Sequence, residues 1–484
     1  MSQVIKISPV TRVEGHLEVE LTLDVVGGQL QVVDAKTSSP VFRGFENILA
    51  GRDPRDATHY TQRVCGVCPI AHAMASSLVL ENAFRVAPAN NGRIMRNLVL
   101  GANFLQSHVL HFYHLAAPDY INTAGVLDLS PWNPRFTAPD MVTGATAATL
   151  VGHYVKALEI RRKAHQMGAI FGGRLPAAAN FVPGGSSQQV TAAAVTQFAT
   201  LLTEIRSFVD SVFLPDVMAV SDLFPEFSAI GSGCGNLLAF GVFDLNAAGT
   251  SKLLGRGRYT NGASGTIDST RIKEYVAHSW YTPGSGNLSP AAGVTQPQYG
   301  KADAYSWIKA PRYEDTVHEV GPLARMWVNG DYRVGISVMD RLAARALEAK
   351  KVGDAMVGWL KELVPGGAVY TDSATPVTAT GVGLTEAARG ALGHWLQVSG
   401  STISRYQIIT PTAWNASPRD DRGQLGAMEQ ALVGTPVQDP AQPLEVLRVI
   451  HSFDPCLSCS VHLVRPGRRD GQTITAGLVT TGAA

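Results

Sequence analysis

The stretch NGRIMRNLVLGANFLQSHVLHFYHLAA, Asn91 to Ala117, decides the fold. Ile94, Leu98, Leu105, Val109 and Phe112 recur at spacings of three, four and seven, which puts them on one face of a helix. Upstream, Ala71 to Val86 reads as another helix, and downstream long helical patterns cover about Met141–Phe171, Gln189–Phe213 and Ile336–Leu363. Helices of this length pack as a bundle. Toward the N-terminus, LEVELTLDV and QLQVVDA alternate around Gly27-Gly28 and predict a β-hairpin over Leu17 to Ala35. From about Pro225 to Pro311 the segments GSGCGN, GRGRYTNGASG and YTPGSGNLSPAAG predict loops and short strands, an insertion anchored by Trp280, Tyr281, Tyr299 and Trp307. The expected class is mainly α with small β-sheets (α+β): a central long-helix bundle in one compact unit.

Composition agrees with a large core. The chain has 484 residues, 45% hydrophobic and 16% charged, with a formal net charge of +1. That balance, with no basic stripe, argues against a nucleic-acid partner. The opening MSQVIKISPVTRVEGH has neither an apolar core nor a twin-arginine signal, and no apolar run reaches the ~18–20 residues of a membrane helix. The chain is expected to be soluble alone, with export depending on a partner that carries a signal.

Four of the five cysteines form two CxxC pairs: Cys65 and Cys68 in RVCGVCPIAH, and Cys456 and Cys459 in SFDPCLSCSVH, with 391 residues from Cys65 to Cys456. Each pair has the spacing that lets two thiolates bind one metal. In zinc ribbons the pairs lie ~15–20 residues apart and staple small modules, whereas a chain of this size needs no staple. Spacing alone leaves structural zinc, an iron–sulfur cluster and a catalytic metal open. Cys234, in GSGCGN, reads as a small buried thiol.

The flanking residues narrow the choice. RVCGVC followed by His72, and DPCxxCxxH from Asp454 to His462, stand in order with RVEGH (Arg12 to His16), RGFE (Arg43 to Glu46), RGALGHW (Arg389 to Trp395) and PTAWNASPRD (Pro411 to Asp420). From Pro9 to His462 the chain resembles the large subunit of nickel–iron hydrogenases, most like the membrane-linked uptake (respiratory) group. The resemblance implies reversible heterolytic oxidation of dihydrogen to protons and electrons. It implies a nickel–iron centre on four cysteines, with Cys65 and Cys456 terminal on nickel and Cys68 and Cys459 bridging to an iron that carries carbon monoxide and cyanide. Thiolates are soft ligands suited to both metals. It further implies Cys456 as the base, Arg389 as a competing base or electrostatic support, and Glu14 as the proton gate beside Cys456. Four thiolates call for a buried cation, for which Arg389 and Arg63 are candidates. Glu46, the Ile408 carbonyl and His462 resemble the ligands of a second metal, magnesium. Thr412 matches the hydroxyl that hydrogen-bonds a cyanide, His72 a partner of a bridging cysteine, and Asp454 lies beside the centre.

Two positions depart from the family pattern: Ala388 stands where proline is usual, and Ser107 where many members carry aspartate. By the same resemblance, a maturation protease removes Leu463 to Ala484 by cutting after His462, so that residues 1–462 form the mature unit. One cysteine outside the pairs cannot ligate an all-cysteine iron–sulfur cluster, and no GxGxxG follows a strand. Electrons therefore leave through another polypeptide. The resemblance supplies an iron–sulfur small subunit in an obligate heterodimer or a dimer of heterodimers, and a cytochrome b membrane anchor. The expected location is periplasm-facing, with a cytoplasmic one as the alternative. Two other readings stand beside the enzyme: a dihydrogen sensor, against which the tail argues, and a structural zinc protein.

Overall fold

The computed structural model describes residues 2–122 and 136–460, without the side chains of Cys459 and Ser460. The Cys459 thiol, His462, Leu463 and the rest of the tail thus lie outside the described residues.

The architecture rests on helices that include α1 (Pro69–Phe84), α2 (Asn90–Leu110), α3 (Gly144–Gly172), α4 (Ala192–Phe208), α5 (Val338–Glu362) and α6 (Leu444–Ser452). The helix expected from Asn91 is α2, and it is buried from Asn91 to Val109. A helix buried on every side must be enclosed by others, and α2 packs on both α3 and α5. Its charged residues find partners within the core: Arg96 pairs with Glu81 at 2.8 Å, and Arg93 donates to the Asp244 carbonyl at 2.6 Å. Beyond Leu110 the chain widens into a π-helical segment, His111–Ala116. The pattern expected to run from Gln189 to Phe213 likewise ends in a π-turn, Val209–Phe213.

The predicted hairpin is present as β2 (Glu18–Val26) and β3 (Gln29–Ser38), and β1 (Gln3–Ile7) extends it into a three-stranded antiparallel sheet. Gly27 and Gly28 both have positive φ, as a two-residue hairpin turn requires. Within 225–311 the strands are short, and Trp307 ties that segment down by stacking on Phe42 with 4.9 Å between ring centres.

A second antiparallel sheet, β4 (Thr378–Ala387), β5 (Gly390–Ser399) and β6 (Thr402–Ile409), lies against α1. A Cβ built on Gly383 would fall 2.3 Å from the Ala75 carbonyl oxygen, so only glycine lets α1 press this close. Ala387 faces Gly390 across the β4–β5 turn, which leaves Ala388 and Arg389 at its tip. The RGALGHW motif is therefore a hairpin with Arg389 buried at its tip, and not the helix surface that the residue type alone would suggest.

Candidate metal centre

Cys68 caps the N-terminus of α1, with Pro69 in the first helical position, where a missing N–H costs nothing. The turn before it folds back on Cys65: the amides of Val67 and Cys68 point at Cys65 Sγ from 3.3 and 3.2 Å. Asn103 of α2 holds the loop by donating to the Val67 carbonyl at 3.1 Å.

The other half arrives from the far end of the chain. Glu14 and Cys456 form a parallel β-bridge, and the Leu457 amide donates to the Glu14 carbonyl at 2.7 Å. A Cβ on Gly15, whose φ is +81°, would lie 2.7 Å from the Ser458 nitrogen, so RVEGH needs its glycine to lie on the second cysteine turn. Cys65 and Cys456 then stand with their sulfurs 3.3 Å apart. The thiols of Cys65, Cys68 and Cys456 all lie within 4.8 Å of one another and are buried.

Glu14 is half-buried and aimed at this cluster. Its Oε2 is 3.1 Å from Cys456 Sγ and also accepts the Ser458 amide at 3.1 Å. Thr412 accepts the Cys456 amide at 2.9 Å through its hydroxyl oxygen, which leaves the hydroxyl proton for another acceptor.

Arg389 is the buried cation. Its Nε donates to the Asp454 carbonyl at 3.0 Å, and Nη2 lies 3.0 Å from Asp454 Oδ1 in a geometry too bent for a hydrogen bond. Burial works against its charge, but Asp454 and the thiolates of Cys456, Cys68 and Cys65 outweigh that and hold its pKa well above the ordinary value. Arg63 does not share the role: its side chain is exposed. The second cation is Arg43, which donates to the Val64 carbonyl on one cysteine loop and to the Ser458 carbonyl at 2.7 Å on the other.

His72 lies one helical turn beyond Cys68 on α1, on the same face. Burial, opposed by the Cys65 thiolate and aided by Arg43, lowers its pKa to about 4, so it is neutral at pH 7. Its Nδ1 is 3.2 Å from His394 Nε2. Of the two departures, the Ser107 hydroxyl is buried without a hydrogen-bond partner among the described residues. The Ala388 carbonyl accepts from Arg325 at 2.8 Å, and Arg325 is itself pinned by Glu348 and Glu386.

Glu46 and Ile408 also meet: Glu46 Oε1 accepts the Ile408 amide at 2.9 Å. Glu46 Oε2 accepts the Thr295 hydroxyl, and Lys309 stands beside it, 3.0 Å from the Val294 carbonyl. Burial pushes nearby Glu274 up to about 7, Lys309 pulling it down and Glu46 pushing it further up. Cys234 lies outside both groups; it is half-buried and not the buried thiol expected from its sequence, and desolvation lifts its pKa to about 11.

The donors suit soft metals. Three buried thiols face one another, and the Nη1 and Nη2 protons of Arg389 have no hydrogen-bond acceptor among the described residues. Such orphaned donors are rare in a folded core and mark a place where a further acceptor belongs. The sequence pattern of the family described as "Nickel-dependent hydrogenase" matches residues 43–142 and 128–462. The chain belongs to that family. A second pattern, described as "HoxL-like", matches residues 4–36 of this hydrogenase.

The periplasmic [NiFeSe] hydrogenase large subunit of Desulfomicrobium baculatum is 43% identical, over 95% of each chain. The uptake hydrogenase large subunit of Rhizobium leguminosarum bv. viciae is 32% identical, over 97% of this chain and 96% of its own. Among solved structures, the reduced Ni-Fe-Se hydrogenase of D. vulgaris Hildenborough superposes with a TM-score of 0.91 at 42% identity, covering 96% of this chain and all of its own. Identity is thus higher to the selenium-named relatives than to the uptake one, yet this hydrogenase has cysteine at positions 65, 68, 456 and 459. It is the large subunit of a nickel–iron hydrogenase, an α+β chain that oxidises dihydrogen and works with a small-subunit partner. Among the described residues, no helix is long and apolar enough to cross a membrane.

Sequence reading missed Arg43, His394, Tyr406 and Lys309. Arg43 and His394 stand inside quoted motifs, but their contacts reach across 415 and 322 positions, which no local pattern reveals.

Proposed function

We propose that Cys65, Cys68, Cys456 and Cys459 hold the nickel–iron centre, and that Cys456 and Glu14 carry the proton released when dihydrogen is split. The observation that carries this reading is the buried thiol cluster with the Glu14 carboxylate 3.1 Å from Cys456 Sγ. When bound, the centre, with carbon monoxide and cyanide on its iron, supplies the Lewis acidity that polarises dihydrogen.

The chain's own groups do the rest. Cys456 Sγ takes the proton and passes it to Glu14 Oε2, which the Ser458 amide holds in place. Arg389 serves as a fixed positive charge and not as the base: a guanidinium pinned by Asp454 beside thiolates has no reason to release a proton. Thr412 and His72 orient the groups around the cluster. Glu46, the Ile408 carbonyl and His462 hold magnesium. The approach of Ile408 to Glu46 supports that assignment, although the contact runs through the Ile408 amide.

The mature unit spans residues 1–462, and a maturation protease cuts between His462 and Leu463. Electrons pass to an iron–sulfur small subunit. The complex faces the periplasm and is tied to the membrane through a cytochrome b partner. Metal analysis with infrared spectroscopy of the purified complex tests the reading: nickel, iron in excess of it because the small subunit brings its own clusters, and carbon monoxide and cyanide bands are expected. Zinc alone, without those bands, would overturn it.

A further inference from the structure

A line of three buried side chains runs away from the thiol cluster. His72 Nδ1 is 3.2 Å from His394 Nε2, and His394 Nδ1 is 2.8 Å from the Tyr406 hydroxyl. His72 and His394 are 0% exposed and Tyr406 is 1% exposed. Rigid elements carry all three: His72 sits on α1, and β5 and β6 are locked in register with His394 opposite Ile408 and Leu396 opposite Tyr406. The remaining ring nitrogen, His72 Nε2, is buried and has no hydrogen-bond partner among the described residues.

A neutral imidazole has one donor nitrogen and one acceptor, so with both rings neutral the line can be ordered in two ways. In the first, the Tyr406 O–H donates to His394 Nδ1, His394 Nε2–H donates to His72 Nδ1, and His72 keeps its own proton on Nε2. In the second, every proton is reversed. His72 Nδ1–H donates to His394, His394 Nδ1–H donates to the phenol oxygen, and the phenol proton needs another acceptor. The second order also leaves a bare lone pair on a buried nitrogen that shares its surroundings with the Cys65 thiolate. An unsatisfied acceptor beside negative charge is the costlier arrangement. Burial holds the Tyr406 phenol well above its ordinary pKa, so it retains the proton that the first order needs.

We propose that Tyr406 and His394 are positioning residues for the metal centre: by donating in one direction they fix His72 as its Nε2–H tautomer. His72 then offers an N–H, and not a lone pair, into surroundings that it shares with the Cys65 thiolate. An N–H near a thiolate draws charge from sulfur and weakens its donation to a metal. The functional part of this inference rests on the reading that the cysteines hold the nickel–iron centre.

Nitrogen-15 shifts of histidine-labelled full-length chain report the tautomer directly, with the His72 signals identified by their loss in His72→Gln. The expected wild-type pattern has Nε2 protonated and Nδ1 bare. Tyr406→Phe keeps the ring but removes the donor, and a second His72 population with the proton on Nδ1 should appear. Placing 3-fluorotyrosine at position 406 restores a donor and should restore the single pattern. Tyr281→Phe removes another buried hydroxyl, 2.8 Å from the Trp307 carbonyl, and should leave His72 unchanged. In the assembled enzyme, Tyr406→Phe should shift the infrared bands of the iron ligands, and Tyr281→Phe should not. A wild-type His72 protonated on Nδ1 overturns the proposal, whether or not the variants fold, and so does an unchanged pattern in Tyr406→Phe. Diatomic bands missing from wild type, with the tautomer order as expected, would support the order and overturn only the reading of the cysteines.

Discussion

Replacing Arg43 with methionine tests whether the two cysteine loops are held together by one guanidinium. Arg43 donates to the carbonyls of Arg63 and Val64 on the first loop and of Ser458 on the second. The Nη2 bonds to Val64 and Ser458 span the gap between them. A hydrogen bond from a charged donor is worth ~1.5–3 kcal/mol net, and the half-buried side chain regains some solvation when the bonds are lost. The clamp therefore contributes about 3 kcal/mol. At 1.4 kcal/mol per tenfold, its removal should raise the open fraction of the site by about 10². Methionine keeps an apolar stem over the Phe45 ring, where the guanidinium now sits 5.0 Å from the ring centre, so general packing changes little. Alkylation of Cys65 and Cys456 in the metal-free full-length chain reports the open fraction when opening and closing outrun the chemistry. The expected result is labelling faster by about 10², with nickel and iron content falling in the assembled enzyme. Arg63→Met, which alters an exposed side chain, should do neither. Labelling of Arg43→Met at the wild-type rate would refute the clamp.

Glu14→Gln keeps an acceptor for the Ser458 amide but cannot take a proton, so dihydrogen oxidation should fall by about 10²–10⁴ while metal content stays unchanged; undiminished turnover removes Glu14 from the proton path. Asp454→Asn strips Arg389 of its carboxylate and leaves the buried guanidinium only the cysteine thiolates as counter-charge, at a cost of up to ~3–5 kcal/mol, visible as a lower melting temperature of the metal-free chain; an unchanged melting point would mean that the pair is not closed in solution. Glu429 is fully buried, and burial lifts its pKa from 4.5 to about 7 despite the amides of Thr37 and Gly426 and the Tyr305 hydroxyl. Because the folded chain holds this proton longer than the unfolded one, stability falls as pH rises from about 4.5 to 7 and levels off above, by about 3 kcal/mol in all. Glu429→Gln should lessen the slope of stability against pH across that window, the part due to Glu274 and Glu386 remaining, and a slope like the wild type's would assign the effect elsewhere.

The long helices were legible because a strong three-to-four periodicity survives complete burial, as Asn91 to Val109 demonstrate. The hairpin was legible from its alternation and its two glycines. The sheet that carries Arg389 was not: β4 and β5 are buried over most of their length, from Leu384 to Leu396, and so lose the alternation that marks a half-exposed strand. At the site, residue identities were readable from motifs because the chemistry limits which side chains can serve. Partners were not, since Arg63 and Arg43 carry the same charge and only the folded backbone decides which one points inward. Glu14 shows the same limit: its β-bridge to Cys456 depends on strands joined at opposite ends of the chain.

That bridge sets a schedule for biosynthesis. With Cys456 standing 391 positions after Cys65, and translation at ~5–20 residues per second, the first thiol pair waits on the order of 20–80 s for the second. In that interval two adjacent thiols form a bidentate claw, open to zinc or copper as readily as to nickel. Selection of the right metal cannot then rest on the finished pocket alone. It becomes a matter of timing, and of whatever covers Cys65 and Cys68 while the remainder of the chain is made.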